Sequence, residues 1–294
     1  DDFLQAFSFI EVFNNLKKKE INVNSSEHKT VVFDRTLHFE LFDFKEIRQP
    51  FTEHFHDYYV IGTISKGCRI LFCNQEEFHV NAKDIVLFNP GDIHSCHQCD
   101  DGGLDYCGIN LTKEVMRRLA FEIYSVDRQI TFSKSVVRDS SVYFTIQTLK
   151  RLVINNLTYE DKEESLLLML TLIFDKYVSN NLSVNYCNDE CISIVCNFLE
   201  KHYMEDIHLI DLCKLINVSK STLLRCFVKA KKMTPYCYLQ NIRIGKAKEM
   251  LEKGALPIDV ALNSGFTDQS HFTHYFKRFL GVTPRIYRDI FIKK

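Results

Sequence analysis

The chain has 294 residues, 46% of them apolar and 26% charged, with a formal net charge of −1. This is enough apolar material for two hydrophobic cores and excludes a disordered chain, while the lack of any apolar run of about 18 residues argues against a membrane helix. The neutral total hides two unequal halves: residues 1–188 carry 20 Lys/Arg against 27 Asp/Glu, and residues 189–294 carry 17 against 11. Only the second half has the charge that attracts a phosphate backbone. Eleven cysteines, an odd number spread over both halves, suit free thiols in a reducing cytoplasm better than a disulfide framework.

In chain order, residues 1–29 read as an N-terminal arm with little signal. Residues 30–112 change to short β-type runs at 30–33, 58–65, 69–73, 77–80, 85–88 and 106–111, separated by Gly, Asn, Asp and Pro. Many short strands with regular turns predict a β-barrel or sandwich. Alternation along an extended segment puts His54, His56 and Tyr58 on one face. Pointing inward beside His94, they give a polar patch in an apolar cavity, which is what a small-molecule effector site needs. Arg69, His97 and Tyr106 join the expected pocket, Arg69 as partner for a carboxylate. The plainer alternative is that these histidines cap strand ends or satisfy buried hydrogen bonds. The run His94-Ser-Cys96-His97-Gln-Cys99 is the one dense cysteine cluster, and a redox or metal-sensor role for Cys96 and Cys99 is a second alternative.

Residues 113–180 return to helical periodicity. Val142, Ile146, Leu149 and Val153 share one helix face, as do Leu166, Leu170, Ile173 and Tyr177, and the block from Leu166 to Leu170 is apolar all round. A helix of that kind is buried on more than one side, against the barrel, a second subunit or both. Residues 181–189 are polar and predict a linker.

The last segment, residues 190–294, repeats itself at a spacing of 49. Leu209, Leu212, Leu223, Phe227, Thr234, Pro235 and Tyr238 correspond to Ile258, Ala261, Phe272, Phe276, Thr283, Pro284 and Tyr287. Each copy has a short apolar-periodic segment, a break, a capping residue (Ser219, Asp268) and a second helix, which is the helix-turn-helix pattern. Residues 236–253 read as the helix joining the copies, with Leu239, Ile242, Ala247, Met250 and Leu251 inward and Arg243, Lys246 and Lys248 outward. In the first copy Ser221, Leu224 and Arg225 are expected to face the major groove, where a guanidinium bonds O6 and N7 of guanine together. In the second copy Gln269, Ser270, His271 and His274 are the base-facing set, since Gln pairs bidentately with adenine. Lys229, Lys246, Lys277, Arg278 and Arg285, with Arg288, are expected on phosphates. A single helix of this kind is more often a solvated surface helix; two at fixed spacing with matching caps are not.

The segment Gly265-Phe-Thr-Asp-Gln-Ser-His-Phe-Thr-His-Tyr-Phe-Lys-Arg-Phe-Leu-Gly-Val-Thr-Pro-Arg-Ile-Tyr-Arg288 resembles the signature ending of AraC/XylS-type transcription regulators. The resemblance implies a seven-helix DNA-binding domain with two recognition helices in successive major-groove segments; Leu224 departs from the polar residue often found at its position, so reading by the first helix is expected to rest mostly on Arg225, with Leu224 against a thymine methyl. His54-Phe-His56, Gly67 and Asn89-Pro-Gly-Asp-Ile-His94 resemble the two motifs of the cupin barrel, a frequent sensor in such regulators. Cupin enzymes hold a metal with a further Glu shortly after the His-x-His pair. Here Asp57-Tyr-Tyr-Val-Ile-Gly follows, and Asp57 points away from His56. The expectation is therefore no metal at His54, His56 and His94, and no enzyme. The predicted fold class is an α+β multidomain chain: a cupin-like barrel with helices, then an all-α domain with two helix-turn-helix motifs. The resemblance implies double-stranded DNA as partner, a small-molecule effector, a homodimer through helices 113–180, and RNA polymerase as a further contact.

Overall fold

A computed structural model describes residues 19–24 (backbone only), 27–124, 127, 129–178 and 189–292. The expected linker lies almost wholly outside these residues, as does most of the expected arm. The chain divides into two compact units, residues 1–182 and 183–294.

Among the described residues of the first unit, eleven strands form two antiparallel sheets. One has seven strands in the order β1-β2-β3-β10-β5-β8-β11: β1 (Lys19–Asn24), β2 (Glu27–Asp34), β3 (Phe39–Ile47), β10 (Leu104–Leu111), β5 (Tyr59–Lys66), β8 (Asp84–Phe88) and β11 (Val136–Arg138). The other runs β4 (Phe51–His54), β9 (His94–Gln98), β6 (Cys68–Cys73), β7 (Glu76–Asn81). Alternation fills the space between them: Phe42, Ile47, Val60, Ile64, Val86 and Phe88 from the large sheet meet Leu71, Cys73 and Val80 from the small one. Gly108 pairs with both Phe42 and Gly62. A Cβ on Gly62 would stand 2.6 Å from the Tyr106 hydroxyl. The missing side chain there makes room for that ring inside the barrel.

Helices α1 (Lys113–Tyr124), α2 (Ser140–Ile154) and α3 (Tyr159–Tyr177) complete the unit. The Asp139 side chain caps α2 by accepting from Ser141 and Val142. α2 lies on the outer face of the large sheet, where Lys150 pairs with Asp43 at 3.3 Å and Gln147 reaches Ser65 and Cys107. The predicted all-round apolar block is buried: Leu166, Leu167, Met169 and Leu170 are each 0% exposed. Lys162, on the same helix, closes on Asp34 at 2.6 Å, both side chains almost fully buried.

The second unit is all-helical: α4 (Asp189–His202), α5 (Leu209–Ile216), α6 (Lys220–Lys231), α7 (Pro235–Glu252), α8 (Pro257–Asn263), α9 (Gln269–Leu280) and α10 (Pro284–Ile292). The 49-residue repeat is visible in the caps. Ser219 accepts from Thr222 and Asp268 from His271, opening α6 and α9; Thr234 caps α7, with Pro235 in its first turn. Phe272, Tyr275 and Phe276 pack with Ile244, Ala247, Leu251, Val260 and Ala261. Two expected core assignments change. Ile258 is 53% exposed and Val260 takes the inward place, because Pro257 starts α8 and leaves Ile258 in its outer first turn. Arg243 is buried rather than outward: its Nε donates to the Tyr203 carbonyl at 2.7 Å and its Nη2 to that of Glu205 at 2.8 Å. Gly265 (φ +83°) lies so close to this arginine that a Cβ would come within 2.9 Å of its Nε. Among the described residues no helix is long and apolar enough to cross a membrane.

Candidate DNA-binding surface and barrel pocket

In the second repeat, Gln269, Ser270 and His274 are exposed at the start of α9, as are Lys277 and Arg278 further along and Arg285 on α10. The Asp268 cap holds the first turn, and exposed Gln and Ser side chains there carry the donors and acceptors that base edges require. His271 departs from the expected set. Its ring is turned onto Phe266 and Tyr275, at 5.4 and 4.9 Å, and its Nδ1 meets the Thr267 hydroxyl at 3.1 Å. Arg288 is also corrected, since its Nε donates to the Gly254 carbonyl and ties α10 to the end of α7.

The first repeat presents less than expected. Ser221 and Leu224 are both 0% exposed, so in this structure they are not open base readers. The Ser221 hydroxyl is 3.1 Å from that of the cap, Ser219, and joins the polar cluster of the first turn. Leu224 has no donor or acceptor, and full burial of a leucine gains about 1.5–3 kcal/mol. Arg225 is half-buried and Lys229 exposed. Lys246 is partly exposed and meets Glu249 at 3.5 Å.

In the barrel, β4, the β4–β5 connection and β9 bring three histidines together. Ring centroids lie 4.4 Å apart for His54–His94, 4.8 Å for His54–His56 and 5.1 Å for His56–His94. Tyr58 stacks on His56 and Phe88 on His94. The register explains the meeting, since His54 pairs with His94, which pairs with Cys73. Burial, then the nearby His94 and His54, push His56 down to about 3; burial pushes His94 down to about 4.

Two polar residues that the sequence reading missed extend this patch. Glu40 and Asn110 share the inward face of β3 and β10 with Phe42 and Tyr106, and Asn110 donates to the Glu40 carboxylate at 2.6 Å. Burial raises the Glu40 carboxyl. Burial, then the Glu40 and Asp57 charges, raise Tyr58. Tyr106 is inside, against Phe42 at 4.8 Å, and burial raises its phenol. The sequence reading placed no strand at Phe39–Ile47, so Glu40 was not set on a barrel face.

Arg69, 1% exposed, shares the inward side of β6 with Leu71 and Cys73; its Nη groups donate to the carbonyls of Cys68, Gly102 and Ile47, while its buried Nε has no hydrogen-bond partner. His97 does not belong to the pocket as expected. His97 is exposed on the outer face of β9, edge-on to Phe72. The Cys96/Cys99 cluster is also corrected. Alternation turns Cys96 inward, where burial pushes its thiol up to about 11, while Cys99 forms a disulfide with Cys68. A disulfide was not expected from the cysteine count; none of the other described cysteines is in a disulfide.

The depressed imidazoles carry a pH prediction. A histidine whose folded pKa lies below its unfolded value near 6.5 contributes stability that is complete above that value and is lost as pH falls toward the folded one. The thermal midpoint of the first unit is therefore expected to fall steadily between about pH 6.5 and 4. His94→Gln should flatten that slope, which a scanning-calorimetry pH series measures.

Comparison with known proteins agrees with this geometry. The model of a helix-turn-helix domain matches residues 212–290, and that of the AraC-like ligand-binding domain matches residues 36–172. The uncharacterized HTH-type transcriptional regulator YbfI of Bacillus subtilis (strain 168) is 43% identical over 248 residues, 84% of this chain and 90% of that protein. YdeC of the same strain is 25% identical over 251 residues, 81% and 86% of the two chains. The crystal structure of ToxT from Vibrio cholerae O395 aligns with 87% of this chain and 99% of its own at 16% identity, with a TM-score of 0.36, a likeness too loose to argue from. The chain belongs to the AraC family of helix-turn-helix transcriptional regulators, with an N-terminal cupin-like, AraC-like ligand-binding domain. It is a DNA-binding regulator and not an enzyme.

Proposed function

We propose that the chain reads a specific DNA sequence through α6 and α9 under the control of an effector bound between the two β-sheets. The observation that carries this reading is the repeated cap-and-helix unit, whose second copy presents Gln269, Ser270 and His274 with Lys277, Arg278 and Arg285 alongside. Gln269 and Ser270 address base edges and the cations address phosphates. In the first copy the reading rests on Arg225. The polar end of the barrel, with His54, His56, Tyr58, His94, Glu40 and Asn110 around an apolar interior, is the effector site, with Tyr106 deeper inside. An effector there shifts DNA affinity only so far as it binds two conformations of the chain differently. The regulator acts in the cytoplasm as a homodimer joined through the helices of residues 113–180, and RNA polymerase is the partner it would meet on DNA.

Selection of binding sites from a random duplex pool tests the reading. The full chain is expected to enrich one motif. Gln269→Ala should lose roughly 1–3 kcal/mol on that motif and relax one base position, whereas Arg285→Ala should weaken all duplexes alike and reduce the salt slope by about 1. If both substitutions left the recovered motif and its affinity unchanged, α9 would not be the reader.

A further inference from the structure

We infer that the effector of this chain is a small organic ammonium ion, held by the Glu40 carboxylate at the polar end of the barrel. The inference rests on the effector reading above and adds the charge that the site selects.

Glu40 is an acid set among aromatic side chains. It stands near the start of β3, inward like Phe42, and lies directly across from Phe33 on β2 and Asn110 on β10. It is half-buried, so part of it stays open to an entering molecule. Its carboxylate accepts from the Asn110 amide at 2.6 Å and meets no cationic side chain among the described ion pairs. A carboxylate removed from water with one amide donor is costly until a cation joins it. The inward guanidinium of Arg69 is not that cation. It bonds the Ile47 carbonyl at the far end of β3, about 20 Å along the strand from Glu40.

The neighbouring polar groups present acceptors. Asn110 spends its Nδ2 on Glu40, and its Oδ1 only accepts. The Nδ1 of His54 is 2.6 Å from the Thr52 carbonyl, and the Nδ1 of His94 is 2.9 Å from the Asp92 carbonyl. A carbonyl only accepts, so in the neutral ring Nδ1 carries the hydrogen and Nε2 is an acceptor. Burial keeps His56 and His94 neutral near pH 7, so these two rings add no positive charge. An ammonium brings N–H donors and a positive charge to such a set, whereas a carboxylate brings only acceptors and is repelled by Glu40. Tyr58, stacked on His56 and near enough for the Glu40 charge to raise its phenol, lines the same end as Phe33. Aromatic faces attract a cation and bury its apolar body, which favours an organic ammonium over a hydrated inorganic ion.

The probes are butyl, hexyl and phenethyl bodies, each offered to the full chain at neutral pH as amine, alcohol and carboxylate. Saturation-transfer NMR detects binding and isothermal titration calorimetry measures it. The amines should bind tighter than their alcohols by roughly 10-fold or more, and the carboxylates weakest. Glu40→Gln keeps the side chain's size and an acceptor for Asn110, and should remove the preference, so that amine and alcohol bind alike. Glu77→Gln, at an exposed acid on β7, should leave the preference unchanged. Circular dichroism confirms that each variant is folded. An alcohol or carboxylate that binds better than its amine, an amine preference that survives Glu40→Gln, or no binding by any amine would overturn the cation site. DNA affinity on the selected duplex is read separately. Amine binding through Glu40 with unchanged DNA affinity would support the cation site and overturn its role as effector site. An alcohol or carboxylate that shifts DNA affinity would overturn the cation class and leave the effector reading standing.

Discussion

Lys162→Met is expected to destabilise the first unit by about 3–5 kcal/mol at neutral pH, through an uncompensated buried carboxylate. Asp34 ends β2 with its side chain 4% exposed, and Lys162 is its only cationic partner among the described ion pairs. The same carboxylate accepts from the main-chain nitrogens of Thr36 and Leu37 and so holds the turn into β3. Burial works to raise the Asp34 carboxyl, but the bonds from Lys162, Thr36 and Leu37 together hold it below the usual carboxylate range. A group with a depressed folded pKa contributes stability that is complete above its unfolded value and is lost as pH falls through the folded one. The wild type should therefore weaken at this site only below about pH 4. The variant should behave oppositely. Without Lys162, burial raises the carboxyl, and the variant's deficit relative to wild type should shrink on acidification toward pH 4. Hydrogen exchange in β2 and β3 at pH 7 and 4.5 measures both; a variant as stable as wild type at pH 7 would contradict the pairing.

Phe276→Ala is expected to cost the second unit about 3–5 kcal/mol, the range for removing a buried phenylalanine. Its ring is 0% exposed and lies 5.4 Å from both Phe272 and Tyr287, joining α9 to α10. DNA affinity should fall with it, because α9 loses the core that aims its first turn. Gln269→Ala is the contrasting case: it should change unfolding by less than about 0.5 kcal/mol while still losing site preference. Denaturant unfolding beside DNA titration separates the two, and equal stability losses would mean that Gln269 is structural.

How much of this was legible depended on the kind of signal. The DNA-binding half was readable because helix period, caps and the 49-residue spacing are local: the caps read at Ser219 and Asp268 are present as cap hydrogen bonds, and Thr234 adds one that was not read. Tertiary burial was not readable: Arg243 looks like a surface cation in any helical wheel until the carbonyls of Tyr203 and Glu205 are placed beside it. Leu224 was given to the groove by position, although its aliphatic side chain favours burial. In the barrel, His54, His56 and Tyr58 do meet, although residues 55–58 form a connection and not the strand that the reading assumed, and register across strands was not readable, as with Glu40 beside Asn110 and Cys99 opposite Cys68. His97 was taken into the pocket for its residue type, although three residues from His94 on a strand puts it on the other face.

Sequence-specific DNA recognition is tested most directly by fluorescence anisotropy with the selected duplex and a scrambled duplex of the same composition, over a salt series. Binding of both should weaken steeply with salt, and the selected site should be preferred by about 10³ or more near physiological salt. Equal affinity for the two duplexes at every salt concentration would contradict the account.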